Sequence, residues 1–247
     1  MGVLTALYRH PIKAIGVEPL DHVSLTVGQT MPGDRLWAVM HEASKYDPAE
    51  GWGQCMNFVR GASSARLMAV KAKLKSARLE LWHPDLEPLF VSPDAPEDAA
   101  RVVAWVAQLC DPKRAKPVRL IKATRQGMTD RGMPWVSILS DNSLADLSDH
   151  VGLPLARERF RGNIWVEGFA PFAEFDWIGQ EISIGGARLR VAEAITRCVA
   201  TTVNPDTGIS DADTLGTLEQ EYNHHDFGVV AEVIDSGPIR LGDKVSA

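Results

Sequence analysis

A chain of 247 residues, 45% apolar and 23% charged, has the make-up of a soluble globular protein with room for one large domain or two modest ones. Its net charge of −6 argues against a nucleic-acid partner, because gripping phosphates takes a cationic face. No run of roughly 18 apolar residues occurs, so no membrane span is expected.

Three cysteines, Cys55, Cys110 and Cys198, form no CxxC pair, and an odd count without a disulfide framework fits a reducing compartment. The opening "MGVLTALYRHPIKAIG" has Arg9, His10 and Pro11 where a signal peptide would need an uninterrupted apolar run, so none is expected. A myristoylation pattern is not met either, since the threonine falls at position 5 and not 6. A cytoplasmic protein is expected.

In chain order, "VLTALYRHPI", "DHVSLTV" and "RLWAVMHE" read as short strands, with glycine and proline setting the turns between them. "ARLMAVKAKLKSARLELWHPD" fits a helix or a hairpin by its lysines, and its alternation at Leu67, Ala69, Lys71, Leu79 and Leu81 favours strands. "SPDAPEDAARVVAWVAQLCD" is a helix with an apolar stripe of Ala99, Val102, Val103, Val106, Leu109 and Cys110, its start suited to a Ser-Pro-Asp cap. Cys110 is then a buried core residue. "DPKRAKP" reads as a linker, dividing the chain into residues 1–117 and 118–247. Beyond it, "VSILSDNSLADLSDHVG" is a strand and a helix, capped by Ser140 or Asp141 and ended by Gly152. "NIWVEGF", "EISIGGARLRVAEAI" and "VVAEVIDSGPIRLGDKV" are strands joined by glycine-rich turns.

Chemistry concentrates in "ITRCVATTVNPDTG". Arg197 beside Cys198 would favour the thiolate, the form that attacks electrophiles and binds metals, while a small buried strand residue is the plain alternative. Lys13, Arg35, Arg161 and Arg197 each stand where a strand meets a turn. If they converge they make an anion pocket, and otherwise they are surface charges paired with some of the 32 acids. His224-His225 has no spaced ligand partner and reads as a loop. Gly185-Gly186 is a hairpin turn, since no GxGxxG or Walker pattern is present. Asp141 and Asp206 match no paired-carboxylate pattern.

"YRHPIKAIGVEPL", "GDRLWAVM", "RFRGNIWVEGF" and "TRCVATTVNPDTG" together resemble the MOSC family, in particular its amidoxime-reducing branch. The resemblance implies an α+β, mostly β fold: a MOSC β-barrel domain (118–247) and an N-terminal β-barrel-like domain (1–117), with a cofactor cleft between them. It implies the molybdenum cofactor, Mo-molybdopterin, with Cys198 as the thiolate ligand of molybdenum. Thr196 and Arg197 would touch the pterin phosphate end, Lys13, Arg35 and Arg161 would hold the same anion, and Ser140 and Asn163 would add polar contacts. Asp206, just past the cysteine, would position a proton or a ligand water. One departure is Lys13-Ala14, where the family usually has Lys-Ser.

The implied activity is reduction of small N-hydroxylated compounds, amidoximes or hydroxylamines. No cysteine-rich iron–sulfur segment occurs in the chain, so electrons would come from a separate flavin or iron–sulfur reductase. A non-redox cofactor carrier, or a sulfur-handling protein with a persulfide on Cys198, is the alternative. A plain thiol nucleophile activated by Arg197 is a third reading, for which no histidine base is assignable.

Overall fold

The computed structural model describes residues 1–247. Its strands are β1 (Gly2–Arg9), β2 (Glu18–Leu20), β3 (His22–Leu25), β4 (Trp37–His41), β5 (Lys71–Lys75), β6 (Arg78–His83), β7 (Leu86–Val91) and β8 (Pro117–Lys122) in the first half. β9 (Val136–Ser140), β10 (Ile164–Glu167), β11 (Glu181–Ile184), β12 (Ala187–Thr196), β13 (Asp226–Asp235), β14 (Gly237–Arg240) and β15 (Lys244–Ser246) follow. Only three α-helices occur: α1 (Pro96–Ala107), α2 (Asp141–Val151) and α3 (Thr214–Tyr222).

Seven strands close on themselves in the order β10-β9-β13-β12-β11-β15-β1, because β1 pairs back onto β10, and β2 extends the sheet beyond β1. All barrel pairings are antiparallel except β9–β10, which α2 joins as a crossover. Alternation sends Val136 and Ile138 of β9, Leu4 of β1 and Val229, Ala231 and Val233 of β13 into the barrel interior. On the outside, Leu139 joins Leu144 and Leu147 of α2 and Leu218 of α3 in a second layer around Phe160, Trp165 and Phe227.

The amino-terminal half buries its own core between the β4–β8 ribbon, the β5–β6–β7 meander and α1. The lysine-rich stretch is the β5–β6 hairpin from Lys71 onward, as its period-2 pattern predicts, but Ala65–Ala69, with Leu67 and Ala69 read as strand, is a 3₁₀ turn. Cys110 packs against this core, and burial raises its thiol pKa. The helix start differs from expectation. Ala95 stands at the N-cap with no side-chain bond, Pro96 takes the first helical position, and Asp98 accepts from the Ser92 amide at 2.7 Å.

The pairings do not part the chain at residue 117. β8 begins there and pairs with β4, while β1 at the amino terminus belongs to the barrel. Residues 10–35 run between the two cores, with Ile12 and Ile15 in the amino-terminal one and Val23, Leu25 and Met31 in the barrel's, and they carry two cations of the site, Lys13 and Arg35. No helix is long and apolar enough to cross a membrane.

Candidate functional site

A cavity of about 360 Å³ opens between the two halves. Lys13, Ala14, Arg35, Cys55, Arg60 and Met68 line it from the amino-terminal half; Asp130, Trp135, Ser137, Arg161, Asn163 and the 195–201 segment line it from the other. An open groove of about 910 Å³ beside α2 is larger, but carboxylates line it and no cysteine does. The smaller cavity is where thiol and cations meet.

Cys198 reaches it because the backbone on both sides is pinned. β12 carries the chain to its pairing of Thr196 with Asp226, and the Arg197 amide then donates to His225 O at 2.8 Å. The Arg197 guanidinium donates to Phe160 O at 2.8 Å and to Phe227 O through Nε at 2.8 Å, lying over both rings. After the cysteine, a 3₁₀ turn over Val199–Thr202 begins, and the Thr201 amide and hydroxyl both donate to Cys198 O at 3.1 Å. Thr201 and Thr214 hydroxyls meet at 2.7 Å, fastening the turn to α3. No polar atom holds the sulfur itself, and Cys198 is exposed, so the buried-core alternative does not describe it. The hydroxyls after the cysteine hold its backbone in place; they do not crowd its thiol.

Lys13 and Arg35 come from the crossing segment, and Arg161 meets them from the turn before β10. The Lys13 amide donates to Trp37 O at 2.8 Å and the Arg35 amide to His10 O at 2.6 Å, which folds residues 10–37 back on themselves. Ala14, Arg35 and Arg161 all have left-handed backbones, with φ of 62°, 49° and 49°. Three such non-glycine residues around one cavity mark local strain that the surrounding fold holds in place. Gly228 leaves room beside the Arg197 guanidinium: a Cβ there would lie 2.9 Å from Ile138 O, 2.7 Å from Leu139 Cγ and 3.4 Å from Arg197 Nη2, and its φ of +75° suits glycine.

Beneath the cations lies Asp34, 2% exposed. Its carboxylate accepts from the His10 amide at 2.7 Å and His10 Nδ1 at 3.2 Å, and it pairs with Arg35. Burial opposes its charge, yet Arg35 and His10 hold its pKa below the ordinary aspartate value. His10 is fully buried, with Nε2 unpartnered. Burial, aided by Arg161, lowers its pKa to about 3, so the ring is neutral. The unfolded chain takes up this proton below about pH 6.5, whereas the folded chain does so only near 3, so stability is lost as pH falls through that window. Denaturant titrations should show that fall in the wild type and a shallower one in His10→Asn, whose side chain does not titrate; equal slopes would contradict it.

Arg161 sits on β10's approach and donates to Gly16 O at 3.3 Å, leaving other N–H groups for a ligand. Burial and Arg35 press its pKa down to about 9, still cationic at neutral pH. Arg35 donates to Arg161 O at 3.1 Å. Lys13, 3% exposed, donates to Met128 O at 2.9 Å and pairs with Asp130; burial lowers its pKa, against the support of that carboxylate.

Other residues singled out in the sequence take different places. Ser140 is fully buried and caps α2, accepting from the Ser143 amide at 3.3 Å, so it does not line the cavity. Asp206 lies outside it, with its amide bonded to Asn204 Oδ1 at 2.9 Å and its carboxylate paired with Lys71 at 3.1 Å. Its proposed proton role has no geometric basis here, because the Asn-Pro-Asp-Thr-Gly turn points it at the amino-terminal half. Asn163 lines the cavity, but Ser137 N and Oγ donate to its Oδ1 at 3.2 and 3.0 Å and its Nδ2 bonds Tyr8 O at 3.2 Å. It ties β9 to β1. Thr196 lines the rim with its hydroxyl on Asp226 at 2.6 Å, and the Arg197 fork is taken up by carbonyls, so neither is a free phosphate donor. His224 stacks on Tyr222 and His225 pairs with Glu219 at 3.3 Å, as befits a loop after α3.

The sequence reading missed Arg60, Cys55, Asp130 and Arg159. Arg60 donates toward Cys55 Sγ at 3.8 Å. Arg159, 3% exposed, donates to Thr202 O at 3.0 Å and Asp211 at 2.6 Å and leaves Nε unpartnered. The "RGA" of Arg60 repeats the "RGN" of Arg161, an arginine-glycine step at a turn, and that signal was there to be read. Nothing local marked Asp130.

Comparison with known proteins sets this geometry in a family. Residues 133–246 match the MOSC domain model. Over 99% of its length the chain is 30% identical to mitochondrial amidoxime-reducing component 1 of Xenopus laevis, covering 82% of that protein. The mouse protein of the same name is 26% identical with the same coverage. The chain belongs to the MOSC family, as an amidoxime-reducing component-like member. Among solved structures, the YUAD protein from Bacillus subtilis aligns over 99% of this MOSC chain and 94% of its own at 14% identity, with a TM-score of 0.47. The family match begins at Met133, four residues before the cavity-lining Ser137, and includes Arg161 and Cys198 but not Lys13, Arg35 or Arg60. Eleven of the cavity's 25 lining residues thus come from outside the matched region.

Proposed function

We propose that this MOSC protein binds a molybdenum pterin in the cavity and reduces N-hydroxylated compounds. The observation that carries the reading is a single exposed thiol, Cys198, in the same cavity as three convergent cations, Lys13, Arg35 and Arg161. The donor set fits the group. A thiolate suits a soft metal, and arginine forks with unused N–H groups suit a phosphate end. The cavity volume of about 360 Å³ also falls in the range of small-molecule sites.

When bound, the group supplies two-electron chemistry that, with two protons, takes the N–OH oxygen of R–NHOH away as water and leaves R–NH₂. The chain's own residues supply the rest. Cys198 would ligate the metal, its position set by the Arg197 and Thr201 anchors on either side. Lys13, Arg35 and Arg161 would hold the phosphate end, and Arg60 adds a fourth cation. Met68, Trp135, Ala200 and Val230 give the cavity an apolar wall that would exclude water and receive an uncharged substrate. Electrons would come from a separate flavin or iron–sulfur protein. All three cysteines are free, which fits a reducing compartment, the cytoplasm in our reading.

The test is elemental analysis of protein made in a cofactor-producing host. About one molybdenum per chain is expected, together with turnover of benzamidoxime when a chemical reductant is supplied. Metal-free protein from a host that loads other molybdoenzymes would overturn the reading.

A further inference from the structure

We propose that Asp130 is a built-in competitor for the cation cluster, a carboxylate that an incoming phosphate must displace from Lys13. This rests on the reading of the cavity as an anion site.

Asp130 lines the cavity and pairs with the Lys13 ammonium. The two partners differ sharply in exposure: the Lys13 side chain is 3% exposed and that of Asp130 is 73%. A buried ammonium that loses its counter-charge is costly, whereas an exposed carboxylate returns to water at little cost. When an anion replaces the carboxylate, Lys13 therefore stays and Asp130 leaves. Only the Asp130 side chain has to move, because the backbone before it is pinned: the Met128 amide donates to Arg35 O at 2.8 Å and Trp52 Nε1 to Thr129 O at 3.0 Å. Lys13 has a second fixed bond, to Met128 O at 2.9 Å, so its position survives the exchange.

The other cations are unevenly supplied with carboxylates. Arg35 shares Asp34 with His10 deep in the fold, and Arg161 bonds only a carbonyl. Asp130 is the acid that reaches the cluster from the solvent side. A phosphate there meets like charge unless Asp130 swings out. The device keeps Lys13 charged and ordered without an anion, and it lowers anion affinity by the strength of the pair it breaks.

Inorganic phosphate is the probe, followed by calorimetry and by melting temperature across a phosphate titration, for wild type, Asp130→Asn and Asp130→Glu. Asp130→Asn is expected to melt lower than wild type without phosphate. It should bind phosphate roughly tenfold more tightly, so that the melting gap closes as phosphate rises. Asp130→Glu should stay near wild type. Equal or weaker phosphate binding by Asp130→Asn, with wild type binding measurably, overturns the competitor role and leaves the anion site standing. No phosphate binding by any of the three overturns both. Binding by Asp130→Asn alone supports the competitor in its strongest form.

Discussion

Protein carrying Cys198→Ser, made in a cofactor-supplying host, is expected to lose amidoxime turnover by about a hundredfold or more. Replacing groups that merely support a metal ligand already costs roughly 10–100-fold, and in the function we propose the ligand itself changes. A serine hydroxyl is hard and protonated at neutral pH, so it replaces the sulfur in shape only. The fold should not notice. The thiol is exposed, and the backbone at 198 is held by Arg197 and Thr201 through main-chain atoms that the substitution leaves in place. A melting temperature within about 2 °C of wild type is therefore expected. Turnover that survives the change, in protein with full molybdenum content, would remove Cys198 from the chemistry.

Asp34→Ala should do the reverse and damage the fold first. It strips a buried carboxylate from Arg35, the His10 amide and the His10 ring at once. Breaking a buried pair from one side costs about 3–5 kcal/mol, which for a chain of this size lowers the melting temperature by roughly 10 °C. Phosphate binding should weaken as well, because Arg35 loses the carboxylate that aims it. The pH dependence separates charge from shape. The Asp34 pKa is held below the ordinary value of about 4, so its contribution is present above that value and is lost as pH falls toward its folded pKa. Unfolding measured at pH 7 and pH 3 should show a gap between wild type and variant that narrows in acid. A gap that is small at pH 7 would show that Asp34 does not organise the cluster.

Legibility of the site in the sequence followed the range of the interactions. Cys198 stood out because its neighbours are chain neighbours: an arginine before it and threonines after it. Arg197 lies in the field of Cys198, as adjacency suggests, but adjacency does not say where its N–H groups bond. In the fold its fork turns to Phe160 O and Phe227 O, both supplied by distant elements. Ser140 carried two readings, helix cap and cofactor contact, and capping won because the α2 amides lie within one turn of it. Asn163 lines the cavity as expected, but Ser137 and Tyr8, 26 and 155 residues away, occupy its amide.

By itself the sequence determined the local structure. Period-2 alternation set the strands, the apolar stripe of α1 set a helix, Gly152 ended α2 with a left-handed residue, and Gly185-Gly186 turned a hairpin. It also marked the cations at strand–turn junctions. Only the tertiary structure decided that β1 closes a barrel with β10 and β15, that β8 pairs back onto β4, and that Lys13, Arg35 and Arg161 meet around one cavity with Arg60 and Asp130. The physical reason is the reach of each force. Backbone propensity and capping act within a few residues, whereas burying apolar faces joins elements a hundred residues apart and carries the charged residues at their ends into one place.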